Sequence, residues 1–254
     1  MSPLPPIDLH AHVDVSIAPA ELRQLNAVIF AATRSLSEAD TALARKDDQT
    51  VWGVGCHPGL VGAQKSFDQQ RFADLIQRTA FVSEIGLDAA SRAPMSTQQA
   101  TLSAVLAELQ RSSRMASLHS YKATDLVIQA LEAQPITGAV LHWWLGDSSQ
   151  TRRAIELGCF FSVNAASVRR TDLLDILPLD RILTETDHPF GDRRSGQHAR
   201  PGLVAVVEKA LASHYGETPA GIRAAMWENL ARLASITGCM ALLPRPVRLQ
   251  LIAR

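Results

Sequence analysis

Residues 81–119, FVSEIGLDAASRAPMSTQQATLSAVLAELQRSSRMASLH, contain one complete strand–helix–strand pattern. The runs Phe81 to Glu84 and Met115 to His119 are short and mostly apolar, and they predict strands. Between them, apolar residues follow the i, i+3, i+4, i+7 spacing of an amphipathic helix, at Leu102, Val105, Leu106 and Leu109. The preceding Ser96-x-x-Gln99 indicates a capping box at the start of this helix.

The same alternation extends in both directions along the chain, with eight predicted strands separated by helical segments. Most of the runs are continuously apolar, as expected for parallel strands buried on both faces. They are Ile7 to His10, Ala27 to Ala31, Val51 to Gly55, Phe81 to Glu84, Met115 to His119, Ala139 to His142, Phe160 to Val163, and Arg181 to Thr186. Helices are expected from Gly202 to His214 and from Pro219 to Ile236, and an irregular tail from Leu242.

Eight strands favour a closed barrel over an open doubly wound sheet. The polar residues with catalytic potential follow the first, fourth, fifth, sixth and eighth runs, where barrel enzymes place their chemistry. We therefore predict an α/β fold, a single (β/α)8 barrel of the TIM type over residues 1–254. Its active site is expected at the C-terminal mouth of the strands.

The composition excludes several classes of protein. The 254 residues contain 25 Lys and Arg against 25 Asp and Glu, so there is no net positive field to attract nucleic acid nonspecifically. The first residues lack the basic start and apolar run of a signal peptide, and no apolar stretch is long enough to span a membrane. Three widely separated cysteines predict neither disulfides nor a zinc ribbon, which fits a cytoplasmic protein.

Six residues at predicted strand ends have the side chains of metal ligands. His10 and His12 are separated by one residue of extended chain and so project to the same side. Alone, this pair is equally consistent with two hydrogen-bonded polar residues, and Glu84 with an internal ion pair. Four histidines and two carboxylates together provide the ligands for two divalent ions, Zn, Mg or Mn. The predicted ligands are His10, His12, Glu84, His119, His142 and Asp187.

The order of these motifs resembles the TatD family of metal-dependent deoxyribonucleases, within the amidohydrolase barrels. The motifs are His10-x-His12, Gly55-Cys-His57-Pro58, Ser83-Glu84-Ile-Gly86-Leu87-Asp88, His119, His142, Glu185-Thr186-Asp187-x-Pro189 and Trp227-Glu-Asn229. The resemblance implies that His-x-His and Glu84 bind one metal and that Glu84 bridges to a second. It also implies that His119 and His142 complete the second site and that Asp187 orients the attacking water.

The chain departs from the family pattern around these ligands. Ser120-Tyr121-Lys122 replaces an arginine two positions after His119, and Trp143-Trp144-Leu145-Gly146 replaces a small Cys-Phe-Ser-Gly segment. His188 and Ala89 stand where the family has a small residue and a tyrosine. Among TatD relatives, these features resemble the divergent QatD type from bacterial antiviral gene clusters. The resemblance implies retained metals, an altered substrate pocket and partner proteins of a defence complex.

Four residues near the ligands are candidates for substrate binding: His57, Lys122, Trp143 and His188. His57 is also consistent with a loop residue bonded to backbone, and Lys122 with a solvated lysine. One indole of the pair Trp143 and Trp144 is expected to stack on a nucleobase while the other packs under the loop. Cations of the loop after the last strand would steer phosphates, although a solvated loop explains them equally: Arg193, Arg194, His198 and Arg200.

The predicted reaction is attack of metal-activated water on a phosphodiester, with Asp187 and Glu84 as catalytic residues. The expected substrate is single-stranded DNA or a DNA end. One alternative is a hydrolase or deaminase of a small molecule, which zero net charge favours. Another is a metal-stabilised binding subunit of a larger complex.

Overall fold

The computed structural model describes residues 3–191 and 200–253, and within them it contains nine short strands. Every strand pair is parallel. The strands are β1 (Ile7–Ala11), β2 (Val28–Ala31), β3 (Thr50–Trp52), β4 (Val54–Gly55), β5 (Phe81–Gly86), β6 (Met115–His119), β7 (Ala139–His142), β8 (Phe160–Val163) and β9 (Ile182–Thr184).

The strands neighbour one another in chain order, as β1-β2-β3 and as β4-β5-β6-β7-β8-β9. The third predicted run is divided at Gly53, so the expected eight strands become nine. Gly53 N still donates to Ala31 O in β2 at 2.9 Å, and the next residue, Val54, already pairs with Val82 in β5. At the other edge, Asp187 N donates to His10 O at 2.8 Å, which links the residues after β9 to β1. This is the strand order of the predicted barrel.

Eleven α-helices of the described residues follow the strands: α1 (Pro19–Gln24), α2 (Leu36–Leu43), α3 (Val61–Lys65), α4 (Gln69–Ile76), α5 (Met95–Arg111), α6 (Thr124–Ala133), α7 (Ser148–Glu156), α8 (Thr171–Leu174), α9 (Ala205–Tyr215), α10 (Pro219–Ile236) and α11 (Arg245–Ile252). Short 3-10 turns lie at Ser167–Arg169, Leu179–Arg181 and Met240–Leu242. None of the helices in the described part of the chain is both long and apolar enough to cross a membrane.

Two predictions, for the start of one helix and for the tail, are wrong, and the helix predicted from Gly202 begins three residues later than expected. Helix α5 begins at Met95, directly after Pro94, so Ser96 lies inside the helix and makes no capping box. The tail is not irregular, because α11 buries Val247 and Leu251 on one face and its prolines stand at or before the first turn, where proline is tolerated. Helix α9 begins at Ala205, after a turn in which Gly202 has a φ of +79°.

The strands form the centre of the molecule because both of their faces are covered. All residues of β2, β4, β7 and β8 are buried, as expected for parallel strands between a barrel interior and a helical layer. Phe30 and Phe81 meet edge to face in this core, with ring centroids 5.3 Å apart. Since every pair is parallel, the carboxyl ends of the strands meet at one mouth.

Candidate metal centre

The six predicted ligands converge at this mouth, around the carboxylate of Glu84. His12 Nε2 lies 3.0 Å from Glu84 Oε2, and His119 Nδ1 lies 3.3 Å from Glu84 Oε1. His10 Nε2 and His142 Nε2 each lie 3.9 Å from a Glu84 oxygen. One carboxylate therefore contacts histidines from three strand ends.

Asp187 and a pair of stacked imidazoles complete the cluster. Asp187 Oδ1 lies 3.7 Å from His12 Nε2 and 3.9 Å from His10 Nε2. The rings of His10 and His142 stack with centroids 4.0 Å apart and planes 3° from parallel. Ligand atoms lie within 4.8 Å of one another in three overlapping groups: His10, Glu84 and His142; His10, His12 and Asp187; and His57, Glu84 and His119.

The backbone is irregular where it presents these side chains. The pairing register shifts between Asp8 and Ala11 in β1, an interval that contains His10. It shifts again between Val82 and Ile85 in β5, an interval that contains Glu84. Such bulges re-aim side chains next to active sites. Glu84 and Asp187 also have positive φ angles, 37° and 48°, which cost a non-glycine residue about 1–3 kcal/mol each.

Hydrogen bonds to the outer ring nitrogens orient the first two histidines. His10 Nδ1 lies 2.7 Å from Ser117 Oγ, and His12 Nδ1 donates to the carbonyl of Ala32 at 3.2 Å. With Nδ1 held by this carbonyl, Nε2 of His12 faces the carboxylate of Glu84. Metal-binding histidines characteristically have such a partner on the second nitrogen.

Four buried polar atoms of the cluster have no hydrogen-bond partner in the described part of the chain: His10 Nε2, Glu84 Oε2, His119 Nε2 and His142 Nδ1. Buried polar atoms are nearly always satisfied, because an unsatisfied one costs about 1–3 kcal/mol. Imidazole nitrogens and carboxylate oxygens are also the ligands that zinc and other divalent ions take in proteins. The residues present therefore fit a metal centre.

The charges of the cluster agree with this fit. Burial and the neighbouring imidazole of His142 hold the pKa of His10 well below its ordinary value, and burial with the neighbouring His119 lowers the pKa of His142 to about 3. Both rings are thus neutral bases. Burial, together with the charges of Glu185 and Glu84, raises the pKa of Asp187 well above its ordinary value. A cation would relieve this crowding of carboxylates.

His57, predicted to bind substrate, also lies against Glu84. Its Nδ1 accepts a hydrogen bond from Gly59 N at 2.8 Å, so a neutral ring carries its proton on Nε2. Nε2 lies 3.0 Å from Glu84 Oε1. His57 is therefore arranged as a hydrogen-bond donor to the carboxylate.

A cavity of about 510 Å³ opens above the cluster. Of the four predicted substrate-binding residues, His57 and Trp143 line it, whereas Lys122 and His188 are not among its lining residues. Lys122 is exposed, with Nζ 5.5 Å from the ring centroid of Tyr121. Arg200 is exposed and also outside the wall, and Arg193, Arg194 and His198 lie outside the described residues.

Sequence reasoning missed several residues of the site. Tyr121, Leu145 and Phe190 form an apolar rim of the cavity, and Asp88 Oδ2 lies 3.7 Å from His119 Nε2 in its wall. Asp88, Tyr121 and Leu145 stand in segments already quoted for the family resemblance, but nothing in the sequence distinguishes Phe190 from other loop residues. Asp8 and Glu185, however, are charged residues within or beside apolar runs, and buried charges need partners. Their positions in the sequence could therefore have identified Asp8 and Glu185 as buried charged residues that need partners.

A parallel α/β barrel with a buried cluster of histidines and carboxylates at its C-terminal mouth is the architecture of a metal-dependent hydrolase. Residues 7–235 match the model of the TatD related DNase family, and the chain belongs to this family. The expected resemblance and fold class are confirmed.

Relatives and solved structures agree with this membership. The 3'-5' ssDNA/RNA exonuclease TatD of Cronobacter sakazakii is 26% identical over 245 residues, which cover 87% of this chain and 90% of that protein. The metal-dependent hydrolase YcfH of Escherichia coli K12 is 25% identical over 90% of each chain. The crystal structure of YJJV, a TatD homologue from the same organism, superposes with a TM-score of 0.79 at 25% identity, covering 90% of this chain and 97% of that chain.

Proposed function

We propose that this protein hydrolyses phosphodiester bonds in single-stranded nucleic acid, using two divalent metal ions. The observation that carries the proposal is the convergence of six ligand side chains, four of which have a buried polar atom with no hydrogen-bond partner among the described residues. His10, His12 and Asp187 would hold one ion, and His119 and His142 the other, with Glu84 between them. Metal ions at such a site lower the pKa of water and neutralise charge on a phosphoryl group.

The residues of the chain have separate tasks in this reaction. Asp187 lies between the histidine pair and the open cavity, where its carboxylate can orient an attacking water. Glu84 fixes the spacing of the two ligand groups, because its two oxygens face different histidines. His57 lines the cavity and directs its N–H at Glu84 Oε1, so it orients the carboxylate that lies between the two ligand groups.

The cavity favours contact with bases over contact with several phosphates. Its wall contains no lysine or arginine among the described residues, whereas Tyr121, Trp143 and Phe190 contribute aromatic rings. Stacking of a base on an aromatic side chain contributes about 1–3 kcal/mol and is possible only where the base is unpaired. This supports single strands or frayed ends as the substrate. The relative named a 3'-5' ssDNA/RNA exonuclease supports the same substrate class.

The test is metal analysis of the purified protein together with hydrolysis of a single-stranded oligonucleotide, the matching duplex and methyl p-nitrophenyl phosphate. We expect turnover of the single strand with added manganese, magnesium or zinc, and its loss in His10→Ala. His214→Ala is the matched control, since His214 lies on α9 beside Asp175, outside the cluster. Hydrolysis of small amides or nucleosides with none of phosphodiesters would contradict the proposal and support the small-molecule alternative.

Three narrower expectations belong to the same proposal. The first is a cytoplasmic location, the second is a place in an antiviral defence cluster, and the third is the presence of partner proteins. All three rest on the sequence alone. Co-purification of the native protein with products of neighbouring genes would test the second and third together.

A further inference from the structure

The ends of three neighbouring strands are joined by one buried carboxylate that no proposed metal site includes. Glu185 is completely buried and directly follows β9. Its Oε1 accepts from Trp143 N at 3.0 Å, after β7, and from Asn164 Nδ2 at 3.1 Å, after β8. Its Oε2 accepts from Ser162 Oγ, in β8. Both oxygens are thus occupied by protein donors.

The hydrogen bond from Trp143 N to Glu185 holds a segment that contains both a predicted metal ligand and a residue of the cavity wall. His142 is a predicted ligand, and its Nδ1 lies 3.9 Å from Glu185 Oε2. Trp143 lines the cavity and has a φ of 39°, a left-handed conformation that a tryptophan adopts only when its surroundings enforce it. Its amide hydrogen bonds only to Glu185 among the described residues. This carboxylate is therefore the described acceptor that holds the amide of Trp143 in this conformation.

We infer that Glu185 is a positioning residue that holds the indole of Trp143 at the mouth of the cavity. The consequence for recognition of a base rests on the proposed function, but the position of the indole does not. Releasing the amide of Trp143 would let the segment leave its strained conformation. The indole would then be free to move out of the cavity wall.

Tryptophan fluorescence can isolate this movement. Trp52, Trp144 and Trp227 are 5%, 1% and 0% exposed, whereas Trp143 is half-buried. Quenching by acrylamide therefore reports mainly on Trp143. We expect Glu185→Ala to increase the quenching constant, and the increase to disappear in the Trp143→Phe background. Glu185→Gln should retain the wild-type value, because its amide oxygen still accepts from Trp143 N.

Unchanged quenching in a folded Glu185→Ala protein would overturn the inference, and so would an increase that persists with Trp143→Phe. If Glu185→Ala does not fold, Glu185→Asp replaces it, since the side chain is one methylene shorter and cannot reach the same amide without a shift. Circular dichroism establishes folding in each case.

A kinetic comparison connects the position of the indole with substrate recognition. The KM for thymidine 5'-(p-nitrophenyl phosphate) should rise in Glu185→Ala more than the KM for methyl p-nitrophenyl phosphate, which has no base. An equal rise for both would overturn the role in recognition. If the wild-type protein hydrolyses neither compound, the proposed function fails, while quenching still decides whether Glu185 positions Trp143.

Discussion

His57 Nε2 lies 3.0 Å from Glu84 Oε1, and the opposite ring nitrogen accepts a hydrogen bond from Gly59 N. The proton of the neutral ring therefore faces the carboxylate that the predicted ligands share. A histidine in this state cannot bind a metal through Nε2 until it loses that proton. In this orientation His57 acts as a hydrogen-bond donor to Glu84 and does not act as a metal ligand.

Replacing His57 by glutamine is expected to lower the rate of hydrolysis without lowering the metal content. The His57 N–H orients the carboxylate of Glu84, and loss of such a hydrogen-bond partner of a metal ligand typically costs about 10–100-fold in activity. Metal content by mass spectrometry and kcat on the single-stranded oligonucleotide are measured on the same preparation. Loss of one metal ion per chain would show that His57 is a ligand.

Gly59→Ala offers an independent check of the same ring. A Cβ at position 59 would lie 2.7 Å from His57 Cε1 and 3.0 Å from Nδ1, so the imidazole must move. We expect reduced kcat with unchanged metal content, as for the histidine variant. Gly62→Ala is the control, because a Cβ there meets no atom within 4 Å. Full activity in Gly59→Ala would argue against a role for the ring orientation.

Adding metal to the chelator-treated protein is expected to raise its melting temperature. A ligand at 100 times its Kd stabilises the native state by about 2.7 kcal/mol, which for a chain of this size corresponds to roughly 5–10 °C. The shift should be lost in His10→Ala and kept in His214→Ala. Equal shifts in both variants would mean that the ions bind elsewhere.

Glu84→Gln should abolish hydrolysis and reduce the number of bound ions. The amide keeps the volume and one oxygen but removes the charge that faces His12 and His119. Burial alone would raise the pKa of Glu84, yet the charge of His12 and the hydrogen bonds of the surrounding histidines hold it well below its ordinary value. Titration with manganese, followed by activity, is the measurement. Retained activity at ordinary metal concentrations would refute the bridging role.

The adjacent tryptophans should give opposite phenotypes. Trp144 is 1% exposed and donates from Nε1 to Thr151 Oγ1 at 2.9 Å, so Trp144→Ala should cost about 3–5 kcal/mol in the free energy of unfolding. Trp143→Ala should leave stability nearly unchanged and weaken binding of single-stranded DNA by about 1–3 kcal/mol. Urea unfolding and a fluorescence-anisotropy titration separate the two. A folding defect in Trp143→Ala would show that its ring belongs to the core.

The sequence by itself determined the strand order and the residue types at the strand ends. Apolar runs of four to six residues report burial on both faces, a local property that survives without knowledge of the partners. Because parallel strands bring their carboxyl ends together, His10, Glu84, His119 and His142 had to meet once the order was known. Alternation along an extended segment predicted different environments for Trp143 and Trp144, and they do differ in burial, although Trp143 has a left-handed φ of 39°.

Only the tertiary structure decided which neighbours complete the site. The proton on His57 depends on a turn that brings Gly59 N to its ring, and the role of Glu185 depends on the ends of three different strands. Lys122 was a candidate for substrate binding, with a solvated lysine as the alternative, and it has a φ of 52° and lies beside Tyr121, outside the cavity wall. Such contacts join residues far apart in the chain, and residue spacing contains no information about them. Periodicity therefore predicted which residues meet at the mouth, while the tautomers and hydrogen bonds that assign their roles required the folded backbone.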